Sequence, residues 1–485
     1  MTYLENFDYD AMFGNDSGEH ERDQALREYF VELPEFKKFF SEANELGFVR
    51  ARKGMGKSAI LKVLSLRRKE ENPEDLVILT TGNELMGLAD FTGKSQAYLE
   101  NLWKQVICKR ICIEIGRKTK VALTDLEMSM VEAAELEGYK DLNILSALTE
   151  RAGGMLQKAL SAAGGAAILE ASQKRGVQNP EQALKNFQAK GDRTVWILID
   201  DIDAKYVDDD DNQQRIGAFF SAMRSLAFSV SGLRLRSSVR TDVWRNLRKM
   251  EDQDKLRQYV IDIAWRDDAL RKIFTRRILS YLKREQFLPA SKWDEAQNYY
   301  DIFDQVFCGT FHWSREKVEP FLPLKFLAGG RPRWMGQLAK LAGAKAGGKR
   351  ISEANVYDAM QEFGQEKVFD IQKEHLHQFA SLDKLIQSFR GGKREYNRYQ
   401  LLKHISEKFV SKIVDVPEIN GYPYGDVEQL AEFLFEIDFL VAHRRGKPDF
   451  VTYNSDPDLF STEENGQNKV LWTVHSSYRN FLRIE

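Results

Sequence analysis

The chain has 485 residues, and its 71 basic and 73 acidic side chains leave a formal net charge of −2, so no global field indicates nucleic acid or an anionic membrane as a partner. Its three cysteines are too few for a disulfide framework, and the sequence contains neither a run of about 18 apolar residues nor a signal-peptide pattern. We therefore expect a cytoplasmic protein of about two to four domains with no membrane contact.

Residues 1–45 form a leading segment that we expect to pack on the core that follows. An acidic, aromatic stretch precedes a predicted helix over about residues 19–30, in which Leu26 and Phe30 share one face. That apolar face needs a partner, and the adjacent domain is the nearest one along the chain.

The most informative stretch is a glycine-rich loop that follows a short apolar run and opens an amphipathic segment. Gly54 and Gly56 allow a tight turn whose N–H groups point at phosphate oxygens, and the following helix adds the positive end of its dipole. In this context Lys57 reaches the β- and γ-phosphates of a nucleotide, and the Ser58 hydroxyl holds Mg²⁺. The predicted nucleotide-binding residues of the loop are Arg52, Lys53, Gly54, Met55, Gly56, Lys57, Ser58 and Ala59.

One position departs from the usual pattern G-x-x-x-x-G-K-[ST], because Ala51 replaces the first glycine. That glycine begins the loop without cradling phosphate, so alanine is compatible with the site if its φ is negative. The departure bears on nucleotide affinity rather than on the nature of the site.

After the loop, residues 76–81 are predicted to form a buried strand, and a mainly helical insertion is predicted over about 94–190. Within it, residues 152–171 are rich in alanine and glycine, which favours a close-packed helical pair over a partner-contacting segment. The insertion carries no catalytic pattern.

A second strand ends in carboxylates. Residues 195–199 are all apolar, as in a fully buried parallel strand, and Asp200 and Asp201 follow directly. Ligands of open α/β sheets bind at the carboxyl ends of strands. Asp200 is therefore predicted to bind Mg²⁺ and Asp201 to polarise the attacking water, whereas an N-cap role is the alternative. Residues 46–264 are thus predicted to form a P-loop ATPase core.

A further predicted strand ends at Arg240, beside the expected position of the γ-phosphate. Arg240 either senses that phosphate or is a surface arginine paired with Asp242, and the sequence leaves both interpretations open. The guanine-reading pattern N/T-K-x-D does not occur, so ATP is favoured over GTP.

Residues 265–383 are predicted to form a helical lid, with 265–345 helical throughout. Pro332 suits the first position of a helix, and it would direct Arg331 and Arg333 outward from the helix start. In ATPases with a helical lid, an arginine at this point reaches back to the phosphates. A loop arginine without a role is the alternative.

The last part of the chain, 384–485, has the order helix, helix, hairpin that is typical of a winged-helix domain, with a basic hairpin tip at 443–448. DNA contact and simple packing are equally compatible with this pattern.

Taken together, these stretches resemble bacterial STAND-like and AAA-like P-loop ATPases of the type found beside antiviral defence genes. The resemblance rests on F-G-N-D-S-G-E-H-E at 13–21, R-K-G-M-G-K-S-A at 52–59, W-I-L-I-D-D-I-D at 196–203, S-V-R-T-D-V-W at 238–244, G-R-P-R-W at 330–334 and W-T-V-H-S-S-Y-R-N-F-L at 472–482. It implies an α/β P-loop NTPase core with a large helical insertion, a helical lid and a winged-helix domain. It also implies a role in antiviral defence.

The leading hypothesis is therefore an ATP-driven, Mg²⁺-dependent switch that controls a separate effector protein or an oligomeric partner. The chain itself carries no nuclease, TIR or deaminase pattern. The alternatives are a DNA-binding, initiator-like or remodelling ATPase and a scaffold that binds ATP without turnover.

Overall fold

A computed structural model describes most of the chain. The described residues are 4–140, 177–189, 191, 193–204, 206–207, 209–247, 253–287, 298–313, 316–413, 417–419, 422–446 and 450–484. The predicted helical pair at 152–171 lies outside them, as does Lys447 of the predicted hairpin tip.

The leading segment contains three short helices. They are α1 (Tyr9–Phe13), α2 (Asp23–Tyr29) and α3 (Phe36–Phe40). The helix predicted from residue 19 begins only at residue 23. The preceding residues form a loop instead, because the buried Glu21 carboxylate accepts hydrogen bonds from the N–H groups of Asn15, at 2.9 Å, and Arg22, at 3.0 Å.

Five parallel strands form the central sheet. They are β1 (Leu46–Ala51), β2 (Leu76–Thr81), β3 (Val195–Asp200), β4 (Leu233–Arg240) and β5 (Val260–Asp262). Their order is β2-β3-β4-β1-β5, so β4 separates the strand before the loop from the strand that ends in acids. The sequence pattern does not predict β5, because three residues are too few to show an alternation. Both faces of the sheet are covered, since Ile197 belongs to one apolar cluster and Trp196 and Leu198 to another.

The strand register brings the predicted site residues to one edge of the sheet. Ala51 pairs with Arg240, and Thr81 pairs with Asp200. The carboxyl ends of β1, β2, β3 and β4 therefore lie side by side, as in other open parallel sheets that bind ligands there.

Helices pack on both faces of this sheet. They are α4 (Lys57–Glu71), α5 (Gly82–Met86), α6 (Gln96–Lys118), α7 (Asp125–Leu136), α8 (Pro180–Gln188), α9 (Asp210–Ser229), α10 (Thr241–Asn246) and α11 (Gln253–Leu256). The described part of the predicted insertion consists of α6, α7 and α8.

The leading segment is tied to the sheet by a buried arginine. The Arg236 guanidinium donates hydrogen bonds to the carbonyls of Phe39 at 2.6 Å, and of Ser41 and Asn44 at 2.8 Å. The other half of the segment, from Phe7 to Phe13, joins a different apolar cluster, formed by the helices that follow the sheet.

A mostly helical region follows the sheet. It contains α12 (Asp267–Arg284), α13 (Tyr299–Val306), β6 (Phe311–Trp313), β7 (Glu316–Val318), α14 (Phe321–Leu327), α15 (Pro332–Ala346), α16 (Glu353–His375) and α17 (Leu382–Gln387). The prediction of helix throughout 265–345 is wrong at 311–318, where β6 and β7 pair as an antiparallel hairpin. Three-residue strands are too short for an alternating pattern to stand out.

The C-terminal part has its own apolar cluster around a four-stranded antiparallel sheet of order β12-β11-β13-β8. Its elements are β8 (Glu395–Tyr396), α18 (Arg398–Lys408), β9 (Glu418–Ile419), β10 (Tyr422–Pro423), α19 (Val427–Glu436), β11 (Leu440–Arg444), β12 (Phe450–Val451), α20 (Glu463–Gly466), β13 (Val470–Val474) and α21 (Ser476–Leu482). Among the described helices, none combines the length and the apolar character that a membrane crossing requires.

Candidate functional site

The glycine-rich loop connects β1 directly to α4. Ala51 is the last residue of β1 and is not among the described residues with positive φ, so alanine replaces the usual glycine without backbone strain. Gly54 and Gly56 have φ values of 81° and 96°, which glycine adopts at no steric cost. The loop therefore has the backbone that a phosphate cradle requires, and it ends at the first turn of a 15-residue helix.

Lys57 begins α4, and its side chain turns back over the loop. It is only 8% exposed, and its Nζ lies 3.4 Å from the carbonyl oxygen of Ala51. A contact of that length is weak, so the ammonium is available to a stronger acceptor in the same space.

The two acids stand at the carboxyl end of β3, with Asp200 as its last residue and Asp201 directly after it. The Asp200 carboxylate is buried, and it accepts hydrogen bonds from the Ser238 hydroxyl and, at 3.0 Å, from the Asp201 N–H. Asp201 has a φ of 49°, a left-handed conformation that is uncommon outside glycine. Strained backbone of this kind is frequent at functional sites.

The environment of Asp201 disfavours its charge. Burial, together with the negative charges of Asp200 and Asp203, raises the pKa of Asp201 to about 6, although the Lys57 ammonium opposes the shift. A carboxylate with a pKa near neutrality is suited to accept a proton. Asp203 is fully buried, and its carboxylate accepts the Arg240 N–H at 2.5 Å.

A third acid, which the sequence analysis did not identify, lies beside this pair. Carboxylate oxygens of Glu19, Asp200 and Asp201 all lie within 4.8 Å of one another. Glu19 is held there by Lys62, whose Nζ donates to the Glu19 carbonyl at 3.0 Å. The preceding Gly18 lies so close to α4 that an added Cβ would stand 2.8 Å from the Cβ of Ala59. A glycine directly before an acid, here Gly18 before Glu19, is the sequence feature that could have indicated this close approach to α4.

The loop, the leading segment and the helical region enclose a cleft of about 240 Å³. Its polar lining includes Glu19, Lys57, Ser58, Asp201 and Arg333. Its apolar lining belongs to one apolar cluster and includes Leu26, Phe30, Val31, Met55, Trp265 and Ile273. The cleft thus offers cations and a hydroxyl together with a surface for a flat apolar group.

The two arginines that flank Pro332 have different surroundings. Arg333 lines the cleft, and its buried Nε has no hydrogen-bond partner among the described residues. Arg331 instead donates from Nη1 to Glu374 Oε2 at 2.9 Å, and its guanidinium also packs on the Trp334 ring. Of the two, only Arg333 contributes to the lining of the cleft.

Arg240 stands at the end of β4, where the sequence analysis expected it, but its guanidinium is engaged. It pairs with the Asp242 carboxylate, with Nε 3.1 Å from Oδ1, and Nη2 donates to the Glu374 carbonyl at 2.6 Å. The pairing with Asp242 that the sequence left open is present, although the pair is mostly buried rather than at the surface.

Arg52 and Lys53, the first predicted binding residues of the loop, face the C-terminal half of the chain. Arg52 pairs with the Asp438 carboxylate, whereas Lys53 lines the cleft and also approaches α16. The remaining predicted residues, from Gly54 to Ala59, all line the cleft.

A parallel sheet, a glycine-rich loop at a helix start and an acidic strand end fit a P-loop NTPase core.

No protein-family model matches the chain, and a search of curated proteins finds no match. Similar solved structures include the ORC2 protein of Aeropyrum pernix (ADPNP-ADP complexes), with 10% identity, a TM-score of 0.38, and coverage of 95% of this chain and 90% of that chain. Cdc6p of Pyrobaculum aerophilum has 11% identity, a TM-score of 0.34 and coverage of 99% of both chains. Domain III of the Thermotoga maritima replication initiation protein DnaA has 12% identity, a TM-score of 0.32, and coverage of 70% and 98%.

Proposed function

We propose that this chain is an ATPase that binds and hydrolyses ATP and acts as a nucleotide-dependent switch. The observation that carries the proposal is the convergence of Lys57, Ser58 and Asp201 on one cleft, with a carboxylate oxygen of Asp200 within 4.8 Å of one of Asp201. A cation and a hydroxyl on a glycine-rich loop suit a triphosphate, and acids across the cleft suit its metal ion and the attacking water.

The lining of the cleft matches the two parts of ATP. The phosphates would lie at the N–H groups of residues 54–59, with Lys57 and Arg333 as cations. Arg333 supports this because it lines the cleft, where a guanidinium can donate charge-assisted hydrogen bonds to phosphate oxygens. The apolar part of the lining, which includes Phe30 and Trp265, is suited to the adenine base.

The residues present also fit Mg²⁺, which prefers oxygen ligands. Ser58 and Asp200 would hold the ion, and Glu19 adds a carboxylate that the sequence analysis did not include. The ion would neutralise charge on the phosphates. Asp201 would accept a proton from the attacking water. The Arg240 N–H, which donates to the Asp203 carboxylate, would hold the end of β4 beside the acids at the end of β3.

A direct experiment tests the proposal. Isothermal titration calorimetry should give saturable ATP binding by the full chain, and a phosphate-release assay should give turnover that requires Mg²⁺. Binding without turnover would instead support the scaffold hypothesis, and the absence of any ATP binding would refute both.

We extend the proposal to the domains, as a core at 46–264, a helical lid at 265–383 and a winged-helix domain at 384–485. The order α18, α19 and the β11–β12 hairpin supports the last assignment. The setting in antiviral defence, with a separate effector or oligomeric partner, rests only on the sequence resemblance. Isolation of the protein from its host with its bound partners would test it.

The second candidate is a DNA-binding, initiator-like ATPase. It is favoured by the basic residues Lys393, Arg394 and Arg445, which are exposed on the C-terminal domain. Two other basic residues of this domain are engaged, because Arg444 pairs with Asp456 and Glu464. Arg398 likewise pairs with Glu428. The remaining exposed charge supports weak rather than tight DNA binding.

A further inference from the structure

The beginning of the phosphate loop is held by groups from the C-terminal half of the chain. The Arg52 guanidinium pairs with the Asp438 carboxylate and donates from Nη2 to the Glu436 carbonyl at 3.2 Å. The Lys53 N–H donates to Glu374 Oε1 at 3.3 Å, and Lys53 Nζ lies 3.9 Å from Asp370 Oδ1. Three carboxylates therefore surround two neighbouring loop residues. We call Asp370, Glu374 and Asp438 the acidic clamp.

Glu374 joins the clamp to the rest of the site. Its carboxylate pairs with Arg331 at the start of α15, and its carbonyl accepts a hydrogen bond from Arg240 at the end of β4. Arg331 Nη1 also lies 3.3 Å from the Lys53 carbonyl. The side chains of Arg331 and Glu374 are only 3% and 2% exposed, so neither charge can move without a replacement partner.

Helix α16, which carries Asp370 and Glu374, packs against the C-terminal part of the chain, which carries Asp438. Gly364 of α16 lies so close to α21 that an added Cβ would stand 2.6 Å from the Ser477 carbonyl oxygen. Asp438 lies in the turn between α19 and β11 of the same domain. Movement of the C-terminal domain would therefore be transmitted to α16, and with it to the phosphate loop.

We propose that the acidic clamp couples nucleotide binding to the docking of the C-terminal domain, and that a bound triphosphate opens the clamp. Lys53 lines the cleft and also faces Asp370, so phosphates and clamp compete for the same cation. Arg331 does not line the cleft, but Arg333, which stands two residues further along the chain, does. Because coupling between two sites is reciprocal, a weaker clamp must also mean tighter ATP binding.

The proposal rests on the proposed function, since it needs ATP in the cleft. Asp438→Asn is the best test, because Asp438 has a φ of 60°, a conformation that Asn tolerates well, and it contacts Arg52 outside the cleft. Glu428→Gln is the matched control, since it breaks an arginine pair of the same domain that is remote from the loop. Glu374→Gln tests the centre of the clamp, and thermal denaturation shows whether this variant folds.

Two measurements on the full chain test whether the acidic clamp couples ATP binding to docking of the C-terminal domain. In calorimetry, Asp438→Asn should bind ATP about 5-fold more tightly or better, and Glu428→Gln should match the wild type. In hydrogen–deuterium exchange, ATP should raise exchange in wild-type α19 and in the turn at Asp438. If Asp438→Asn acted only by removing a negative charge near the loop, it would still tighten ATP binding. In that case, however, ATP would not change hydrogen–deuterium exchange in wild-type α19 or in the turn at Asp438.

The outcomes separate the two proposals. Wild-type protein that binds no ATP refutes the proposed function. Wild-type protein that binds ATP with unchanged or reduced exchange at residues 427–440 overturns the clamp alone, as does unchanged or weaker ATP binding by Asp438→Asn. If Glu374→Gln does not fold, Asp438→Asn and the exchange measurement still decide.

Discussion

Arg331 and Glu374 form an ion pair in which Nη1 lies 2.9 Å from Oε2 and both side chains are almost completely buried. Burial alone would raise the pKa of Glu374, but Arg331, His375 and Arg240 outweigh it and hold the pKa well below its usual range. Removal of either partner would leave an uncompensated buried charge, at a cost of about 3–5 kcal/mol. Glu374 is therefore ionised, and it fixes the start of α15 beside the phosphate loop.

The ion pair also distinguishes Arg331 from Arg333, two arginines to which the sequence pattern assigns the same role. Arg331 is held by Glu374, whereas Arg333 lines the cleft. Under the proposed function we expect Arg333 to contact a phosphate and Arg331 to transmit that contact to Glu374 on α16.

Lys57→Ala is expected to abolish ATP binding. The ammonium is the main side-chain charge available to the β- and γ-phosphates, and charge-assisted hydrogen bonds are the strongest of their kind. Calorimetry measures the loss, and Lys69→Ala, an exposed lysine near the end of the same helix, is the control. Wild-type affinity in Lys57→Ala would remove the basis for the phosphate-loop assignment.

Asp201→Asn is expected to leave ATP binding intact and to lower kcat by roughly 10²-fold or more, because a general base acts mainly in the transition state. The pKa of Asp201 is raised from 3.8 to about 6, so the wild-type rate should fall as the pH drops through about 6 and the carboxylate takes up a proton. The variant should lack this acidic limb. An unchanged kcat would transfer the role to Asp203, which is the next acid along the chain.

Sequence patterns predicted those parts of the molecule whose determinants are contiguous. The five apolar residues before Asp200 specify β3, and Pro332 stands at the first position of α15, as its fixed φ favours. Glu19 and Glu374 were not found in this way. Each contacts groups that are far away in sequence, and a single acid in a polar stretch carries no periodic signal.

The same limit explains why the sequence left two interpretations of Arg240 open. Its place at the end of β4 follows from the strand pattern, and the strand register fixes it opposite Ala51. Its partners, Asp242 and the Glu374 carbonyl, depend on how α16 packs against the sheet. Packing between distant elements cannot be read from a strand pattern alone.

Glu19→Gln is expected to raise the Mg²⁺ concentration at which ATP binding is half-maximally enhanced, because it removes one of three carboxylates that lie within 4.8 Å of each other. Calorimetric titrations of ATP at several Mg²⁺ concentrations measure this directly, without reliance on turnover. Glu35→Gln, also in the leading segment but paired loosely with Arg266, is the control. An unchanged Mg²⁺ dependence would assign Glu19 a structural role only.

Arg333→Ala is expected to weaken ATP binding by about 10-fold or more, and ADP binding by less if the contact is to the γ-phosphate. Lys345→Ala, at the far end of the same helix, should have no effect, since that lysine is exposed and paired with Glu362. Equal losses for ATP and ADP would place the contact nearer the β-phosphate. No loss for either nucleotide would contradict the role proposed for Arg333.

The last prediction concerns DNA. Within the C-terminal domain Arg444 and Arg398 are engaged by carboxylates, and only part of its basic charge stays exposed. The chain as a whole has a formal net charge of −2. We therefore expect duplex DNA to bind no more tightly than the ~10⁻⁴–10⁻⁶ M that is typical of non-specific contacts.

A titration of the purified chain with duplex DNA at ~150 mM salt measures this affinity. Removal of one cation that touches a DNA phosphate, for example in Arg394→Ala, should flatten the dependence of log K on log salt by about one unit. Glu428→Gln gives the opposite control, since it frees Arg398 and should strengthen a binding that depends on exposed positive charge. Nanomolar affinity of the wild type would favour the DNA-binding, initiator-like ATPase over the switch, because contacts of that strength require a surface built for DNA.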